Sequence, residues 1–175
     1  MKRVVIVGPP GSGKSTVAAK LSAKTGLPHT EIDSLWWEPN WTEAGREVLK
    51  QRLQPFVDRD EWILDGNYFS VGAREVVWPR ADTIVWLDHP RRVTVPRVVR
   101  RTFVRAVMRR ELWGTGNRES LALLRPDSIV RFAWTAHPKY NLRYLGLWDD
   151  PELAHLTWVR LRTRRDVRDW LSTVS

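Results

Sequence analysis

The feature that most constrains this chain is an apolar run that breaks into glycines: Val4-Val-Ile-Val7, then Gly8-Pro9-Pro10-Gly11-Ser12-Gly13-Lys14-Ser15-Thr16. Gly8, four intervening residues and Gly13-Lys14-Ser15 form the spacing of a phosphate-binding loop between a buried strand and a helix. The reason lies in the backbone. Glycines at 8, 11 and 13 reach angles closed to residues with a Cβ, so successive N–H groups curl into a nest around phosphate oxygens. The helix starting near Gly13 aims its unpaired N–H groups and positive dipole end at the same anion. Lys14 adds a mobile charge, and the Ser15 hydroxyl is placed to ligate magnesium.

The surrounding pattern predicts the fold. Arg3–Val7, His29–Asp33, Glu61–Asp65, Asp82–Asp88 and Thr157–Arg162 read as strands. Helices are predicted over Lys14–Lys24, Thr42–Asp58, from Pro90 onward and over Arg165–Ser172. Such alternation implies a three-layer α/β architecture, a five-stranded parallel sheet flanked by helices, with a helical lid inserted over roughly 91–147. The 175 residues, 42% hydrophobic, suit a single domain.

In open parallel sheets ligands sit beyond the carboxyl ends of the strands. The glycine loop, Asp33, Asp65 and Asp88 all fall there. Asp65 is the candidate magnesium carboxylate, acting through the ion's water shell. Asp33, with Glu31 on the same strand face, is placed to orient or deprotonate an acceptor hydroxyl. Asp88, just before a helix that opens at Pro90, reads as structural. Ser34–Trp41 reads as an aromatic loop in which Trp36, Trp37 and Trp41 form a substrate wall or simply pack, while Trp62 and Trp86 read as core. The turn Gly66-Asn67-Tyr68 puts two more polar side chains beside the cleft.

The helix after Pro90 carries Val95, Val99, Phe103, Ala106 and Val107 on one predicted buried face, with Arg97, Arg101, Arg105 and Arg109 in a stripe beside it. In phosphoryl transfer charge spreads over the equatorial oxygens, and a planar guanidinium suits it. Arg97 and Arg101 are expected to reach the phosphates; Arg105 and Arg109 are expected to face solvent.

The net charge of +9 is regional: residues 91–143 hold thirteen Lys or Arg against three acids. Such a block suits either a nucleotide's phosphates or a nucleic-acid backbone. Absence of cysteine excludes zinc-finger, iron–sulfur and thiol chemistry. The apolar run after Met-Lys-Arg is too short for a signal-peptide core and no stretch is long enough to span a bilayer, so a cytoplasmic protein without a membrane partner is expected. Two functions compete: an ATP- and Mg2+-dependent kinase acting on a small-molecule or nucleotide acceptor, and a nucleic-acid-associated NTPase. Neither Asp65 nor Asp88 precedes the glutamate usual in motor ATPases, and the Asn-Lys-x-Asp of GTP switches is absent.

Over nearly its whole length the chain resembles the adenylate kinase-like P-loop kinases, most closely the branch usually labelled DNA topology modulation protein. The resemblance is carried by residues 8–16, Ile32-Asp-Ser-Leu-Trp36, Trp62-Ile-Leu-Asp-Gly-Asn-Tyr68 and Leu87-Asp-His-Pro-Arg91. It implies that Asp65-Gly66 stands where adenylate kinases carry Asp-Gly, that Arg97 and Arg101 match two lid arginines contacting ATP, and that an adenine-contacting turn lies near Thr163–Arg165, with Arg164 as the candidate. The Glu31 and Asp33 pair looks like the acidic pair of shikimate and gluconate kinases, one serving metal and the other substrate. The chain departs from adenylate kinases at Asn67-Tyr68, where Phe-Pro-Arg would follow Asp-Gly; the arginine that would hold AMP's phosphate is missing. On this reading Asp33, Trp36, Asn67 and Tyr68 face the acceptor, and Lys14, Asp33, Arg97 and Arg101 carry the chemistry.

Overall fold

In the computed structural model, which describes residues 1–121 and 128–174, the chain begins with β1 (Arg3–Val7), runs through the glycine loop into α1 (Lys14–Thr25) and returns as β2 (His29–Glu31). A one-turn helix α2 (Asp33–Trp36) leads to a small antiparallel hairpin, β3 (Trp37–Glu38) and β4 (Thr42–Glu43), and then to α3 (Arg46–Val57). β5 (Trp62–Asp65), α4 (Ala73–Val77) and β6 (Thr83–Leu87) follow. α5 (Arg91–Val107), a second hairpin of β7 (Glu111–Leu112) and β8 (Asn117–Arg118), and α6 (Ile129–Trp148) precede β9 (Thr157–Leu161) and α7 (Arg164–Thr173).

Five strands form one parallel sheet in the order β2-β5-β1-β6-β9, as the alternation predicts. Successive side chains of β1 point to opposite faces, and each face has its own core. Val4 and Ile6 pack with Val17, Ala18 and Leu21 of α1. Val5 and Val7 pack on the other face with Leu49 and Leu53 of α3, Val77 of α4 and Tyr144 of α6. That continuous burial is why the central strands read as unbroken apolar runs. Trp62 and Trp86 are core residues, as expected.

Five expectations are corrected. β2 ends at Glu31, because the chain turns once its strand partner ends: the Ile32 N–H reaches the Asp65 carbonyl at 2.9 Å and Asp33 opens α2. The aromatic segment 34–41 is a helical turn and hairpin rather than a loop, and α3 starts at Arg46 because Thr42 and Glu43 are used as strand. Residues 111–118 form the β7–β8 hairpin within the predicted mostly helical lid; Pro126 lies outside the described residues. In α5 the buried face is Thr94, Val98 and Thr102, while Phe103 and Val107 are more than half exposed. The helix is pressed against the glycine loop, where a Cβ on Gly11 would stand 2.3 Å from the Thr94 carbonyl oxygen and 2.8 Å from Val98 Cγ2. Close approach, not apolarity, selects the face.

Candidate active site

The site is built outward from the loop backbone. Gly8 and Gly11 have φ of +146° and +78°, and a Cβ on Gly8 would fall 2.7 Å from the Leu87 carbonyl oxygen. Only glycine fits between these walls. The Ser12 N–H closes the turn on the Pro9 carbonyl at 3.1 Å. Gly13, also left-handed, caps α1 without a side chain, so the first N–H groups of that helix keep their donors for an anion. The Ser12 hydroxyl is buried with no hydrogen-bond partner among the described residues, a further unused donor in the same nest. Thr16 is exposed and Pro10 half-buried on the loop's rim.

Lys14 Nζ lies in the nest, donating to the Gly8 carbonyl at 3.0 Å. Burial pushes its pKa down, and the carboxylates of Asp65, Asp33 and Glu31 pull it back up. The lysine therefore faces three acids that the sequence places at two different strand ends. Ser15 Oγ donates to Asp65 Oδ1 at 3.2 Å, and His29 Nε2 lies 2.7 Å from Asp65 Oδ2. A hydroxyl and one oriented carboxylate are hard oxygen donors that fit Mg2+, which keeps several waters and takes the rest of its shell from phosphates. Among the described residues no three His, Cys, Asp or Glu side chains gather into a self-sufficient metal cage, as this mode of binding requires of none.

Asp33 accepts from the Tyr68 hydroxyl at 2.7 Å. Burial raises the Asp33 pKa above the ordinary carboxylate value, against the opposing pull of Tyr68 and Lys14; burial and the Asp33 charge raise that of Tyr68. Glu31 Oε2 accepts from the Trp113 indole at 3.0 Å. The Glu31–Asp33 pair thus persists near Lys14, although a helical turn and not strand alternation brings Asp33 there.

Two expected substrate residues do other work. Trp36 is 4% exposed and packs into the core against Tyr68 at 5.6 Å, so it presents no face to a substrate. Asn67 accepts from the Gly8 N–H at 3.1 Å and donates to the Gly8 carbonyl at 2.9 Å, while the buried Tyr144 hydroxyl donates to Asn67 Oδ1 at 2.6 Å. It braces the loop from behind. Asp88 is structural, as read: Arg160 holds it at 2.6 and 2.9 Å, and Asn141 donates to it at 2.9 Å.

The arginine stripe faces inward further than expected. Arg97 donates to the Gly11 and Ser12 carbonyls at 3.4 Å each, and burial together with the like charge of Arg164 lowers its pKa. Arg164 thus stands on the loop's flank, exposed, at the start of α7. Burial and Arg105 lower the pKa of Arg101, which senses Asp33 and Glu31 as well. Arg105 is not in solvent: it pairs with the nearly buried Glu119 at 2.9 Å, and Arg101 lies 3.9 Å from the same carboxylate. Sequence reading missed His29, Glu119, Trp113 and Asn117. For His29 a signal existed, since alternation puts it on the Glu31 face one strand away from Asp65; for the others, which act across long separations, there was none.

No protein-family model matches the chain. An adenylate kinase of Mycobacterium sp. (strain MCS) is 49% identical over 95 residues, 43% of this chain and 52% of that relative. A cytidylate kinase of Haloquadratum walsbyi is 28% identical over 156 residues, 80% of this chain and 78% of the relative. A shikimate kinase from Acinetobacter baumannii, solved in complex with shikimate, superposes with a TM-score of 0.57 at 18% identity, covering 99% of this chain and 90% of that one. The chain is similar in sequence to adenylate and cytidylate kinases, and it shares its fold with a shikimate kinase. It spans about half the length of the first of these curated relatives. The parallel sheet described above is the frame it shares with that shikimate kinase. The relatives named here are kinases and give no support to the finer resemblance to DNA topology modulation proteins. No helix among the described residues is long and apolar enough to cross a membrane.

Proposed function

We propose that the protein transfers the γ-phosphoryl group of ATP to a hydroxyl of a small acceptor. The reading rests on one observation above all: a half-buried carboxylate, Asp33, held by the Tyr68 hydroxyl and with raised proton affinity, stands in the field of the loop lysine and of the acid that pairs with Ser15. The nest and Lys14 would hold the β- and γ-phosphates, with Arg164 on the adenine flank. Ser15 and Asp65 would hold Mg2+, which when bound neutralises charge on the phosphate oxygens. The acceptor oxygen bonds to the γ-phosphorus as the bond from that phosphorus to the β–γ bridging oxygen breaks, and ADP leaves. The acceptor's proton passes to Asp33, a stronger base than an exposed aspartate. Arg97 and Arg101 would close over the transferring group, whose charge they are shaped to take.

Kinases of adenylate, cytidylate and shikimate among the relatives suggest nucleotides and small hydroxy acids as acceptors to try. AMP is disfavoured, because Asn67 and Tyr68 occupy the place of the missing arginine and already serve Gly8 and Asp33. The nucleic-acid reading, including a DNA topology role, has less behind it: Arg97, Arg101 and Arg105 turn toward the loop and Glu119 rather than along a surface. The test is incubation with Mg2+ and γ-labelled ATP over a panel of nucleosides, nucleotides, sugars and hydroxy acids. A labelled product that vanishes in Lys14→Ala is the expected result. ATP hydrolysis stimulated by DNA, with no acceptor labelled, would overturn it.

A further inference from the structure

α6 meets the ends of the sheet strands with polar side chains. His137, Asn141 and Tyr144 recur at helical spacing on one face of the helix, and each is bound to a strand end. His137 Nε2 donates to the His89 carbonyl at 2.8 Å, Asn141 to Asp88 Oδ1 at 2.9 Å and the Tyr144 hydroxyl to Asn67 Oδ1 at 2.6 Å. Asp88 and His89 follow β6, Asn67 follows β5, and those two strands flank β1 in the sheet. The helix thus bridges the carboxyl end of β1, where the phosphate loop begins. We propose that Tyr144 and Asn67 are positioning residues for the loop lysine: together they hold the Gly8 carbonyl, so that Lys14 is released to a nucleoside di- or triphosphate without stranding that carbonyl. This rests on the reading of residues 8–16 as a nucleotide site.

The first observation is a shared acceptor. Gly8 is buried, and its carbonyl accepts from Lys14 Nζ at 3.0 Å and from Asn67 Nδ2 at 2.9 Å. The Asn67 amide has one orientation that fits, because the Gly8 N–H, 3.1 Å from Oδ1, only donates and the Gly8 carbonyl only accepts. Both lone pairs of that carbonyl are in use. Once Lys14 turns to phosphate oxygens one donor remains, and that donor is Asn67. Without it, binding would leave a buried carbonyl unpaired, which weakens affinity about 5–100-fold.

The second is how firmly Asn67 is placed. Its turn opens at Gly66, with φ of +149° and an N–H on the Ile6 carbonyl at 3.1 Å, where a Cβ would stand 2.9 Å from Ile32 Cβ. On the far side is Tyr144, fully buried, its ring 5.4 Å from those of Phe69 and Trp86. A buried tyrosine hydroxyl needs a partner, and this one finds it in the amide that holds the loop.

The third is a contrast within the molecule. Asn117 clasps the β7–β8 hairpin in the same manner, accepting from the Trp41 N–H at 2.9 Å and donating to the Glu38 carbonyl at 2.8 Å, but neither partner belongs to the nest. Asn67 differs in that its carbonyl partner also holds the lysine.

The test uses the full chain. Calorimetry gives the MgADP affinity of wild type, Tyr144→Phe, Asn67→Ala and that pair; urea melts give the midpoints of ligand-free wild type, Lys14→Met, Asn67→Ala and that pair. The expected dissociation constant is about 5–100-fold higher in Asn67→Ala and about 2–10-fold higher in Tyr144→Phe, with no further rise when Tyr144→Phe is added to Asn67→Ala. Without ligand, Lys14→Met with Asn67→Ala should lower the midpoint by more than the two single changes together, since only the pair removes both donors of one carbonyl. A merely structural Asn67 gives additive shifts. Unchanged MgADP affinity in Tyr144→Phe, a full Tyr144→Phe effect surviving in Asn67→Ala, or additive midpoints would overturn the assignment. Tyr144→Phe keeps the buried ring, so its affinity decides the matter if Asn67→Ala does not fold. Failure of MgADP to bind wild type would instead remove the nucleotide reading, and this assignment with it.

Discussion

The two ends of the cleft are built by opposite means. At the nucleotide end one contiguous stretch, residues 8–16, does nearly everything, and it does so with backbone: left-handed glycines, free helix N–H groups and a lysine resting on a main-chain carbonyl. At the other end, where the acceptor is proposed to bind, Glu31 with Asp33, Tyr68 and Trp113 come from three stretches of the chain and meet through side-chain contacts. A backbone nest recognises what every nucleoside triphosphate shares. Side chains gathered from afar recognise what one acceptor has and another lacks, so on the proposed function specificity belongs to the second region.

The sharpest way to break this contrast is Asp33→Asn. If Asp33 takes the acceptor's proton, transfer falls by about 10²–10⁴ while MgATP still binds. Stability should move the other way. Because burial holds the folded-state pKa of Asp33 above its unfolded value, the group favours folding at acid pH and that contribution is lost as pH rises through the folded value. The neutral asparagine escapes that loss, so the melting temperature of the ligand-free variant should exceed wild type near neutral pH and match it below the ordinary carboxylate range. A melt series against pH, paired with single-turnover assays, checks both halves. A lower melting temperature at neutral pH would make Asp33 structural.

The nucleotide end breaks through Gly11→Ala. A methyl there meets the Thr94 carbonyl oxygen at 2.3 Å and needs φ of +78°, so loop and α5 must part, at a cost of about 1–3 kcal/mol. Gly13→Ala is the control, since its φ is equally left-handed but nothing lies within 4 Å of the added carbon. Gly11→Ala should lower the urea midpoint further than Gly13→Ala and displace Arg97 from the loop. Equal effects would mean that strain alone, not the α5 contact, shapes the nest.

The same contrast explains what the sequence revealed and what it hid. The loop, the five strands and the acids Asp33 and Asp65 were legible because sterics and burial on both sheet faces leave local marks: glycine spacing, apolar runs, a carboxylate closing a strand. The buried face of α5 was not. Its apolar stripe pointed to Phe103 and Val107, whereas the helix buries Thr94 and Val98 because Gly11 lets it come close, a fact held 80 residues upstream. Trp36 failed for a related reason: a tryptophan in a short aromatic segment looks the same whether it lines a cleft or plugs a core. The Asn117 clasp joins residues 76 and 79 positions apart, beyond any periodicity.

That clasp gives the smallest expected effect and the finest test. Asn117→Ala leaves the Trp41 N–H and the Glu38 carbonyl without their partner, worth about 1–3 kcal/mol if both stay buried. The two hairpins they join are peripheral two-stranded units, so the loss should appear as local opening rather than as a shift of the global transition. Exchange of the Trp41 amide should then quicken by roughly tenfold or more, with core amides of β1 and β6 unaffected. On the proposed function acceptor KM should rise while the affinity for MgADP holds, because the hairpin carries Trp113, the partner of Glu31, and no part of the phosphate nest. Were MgADP affinity to fall with the clasp, the two ends of the cleft would be energetically one, and the division between a backbone-built and a side-chain-built half would describe architecture only.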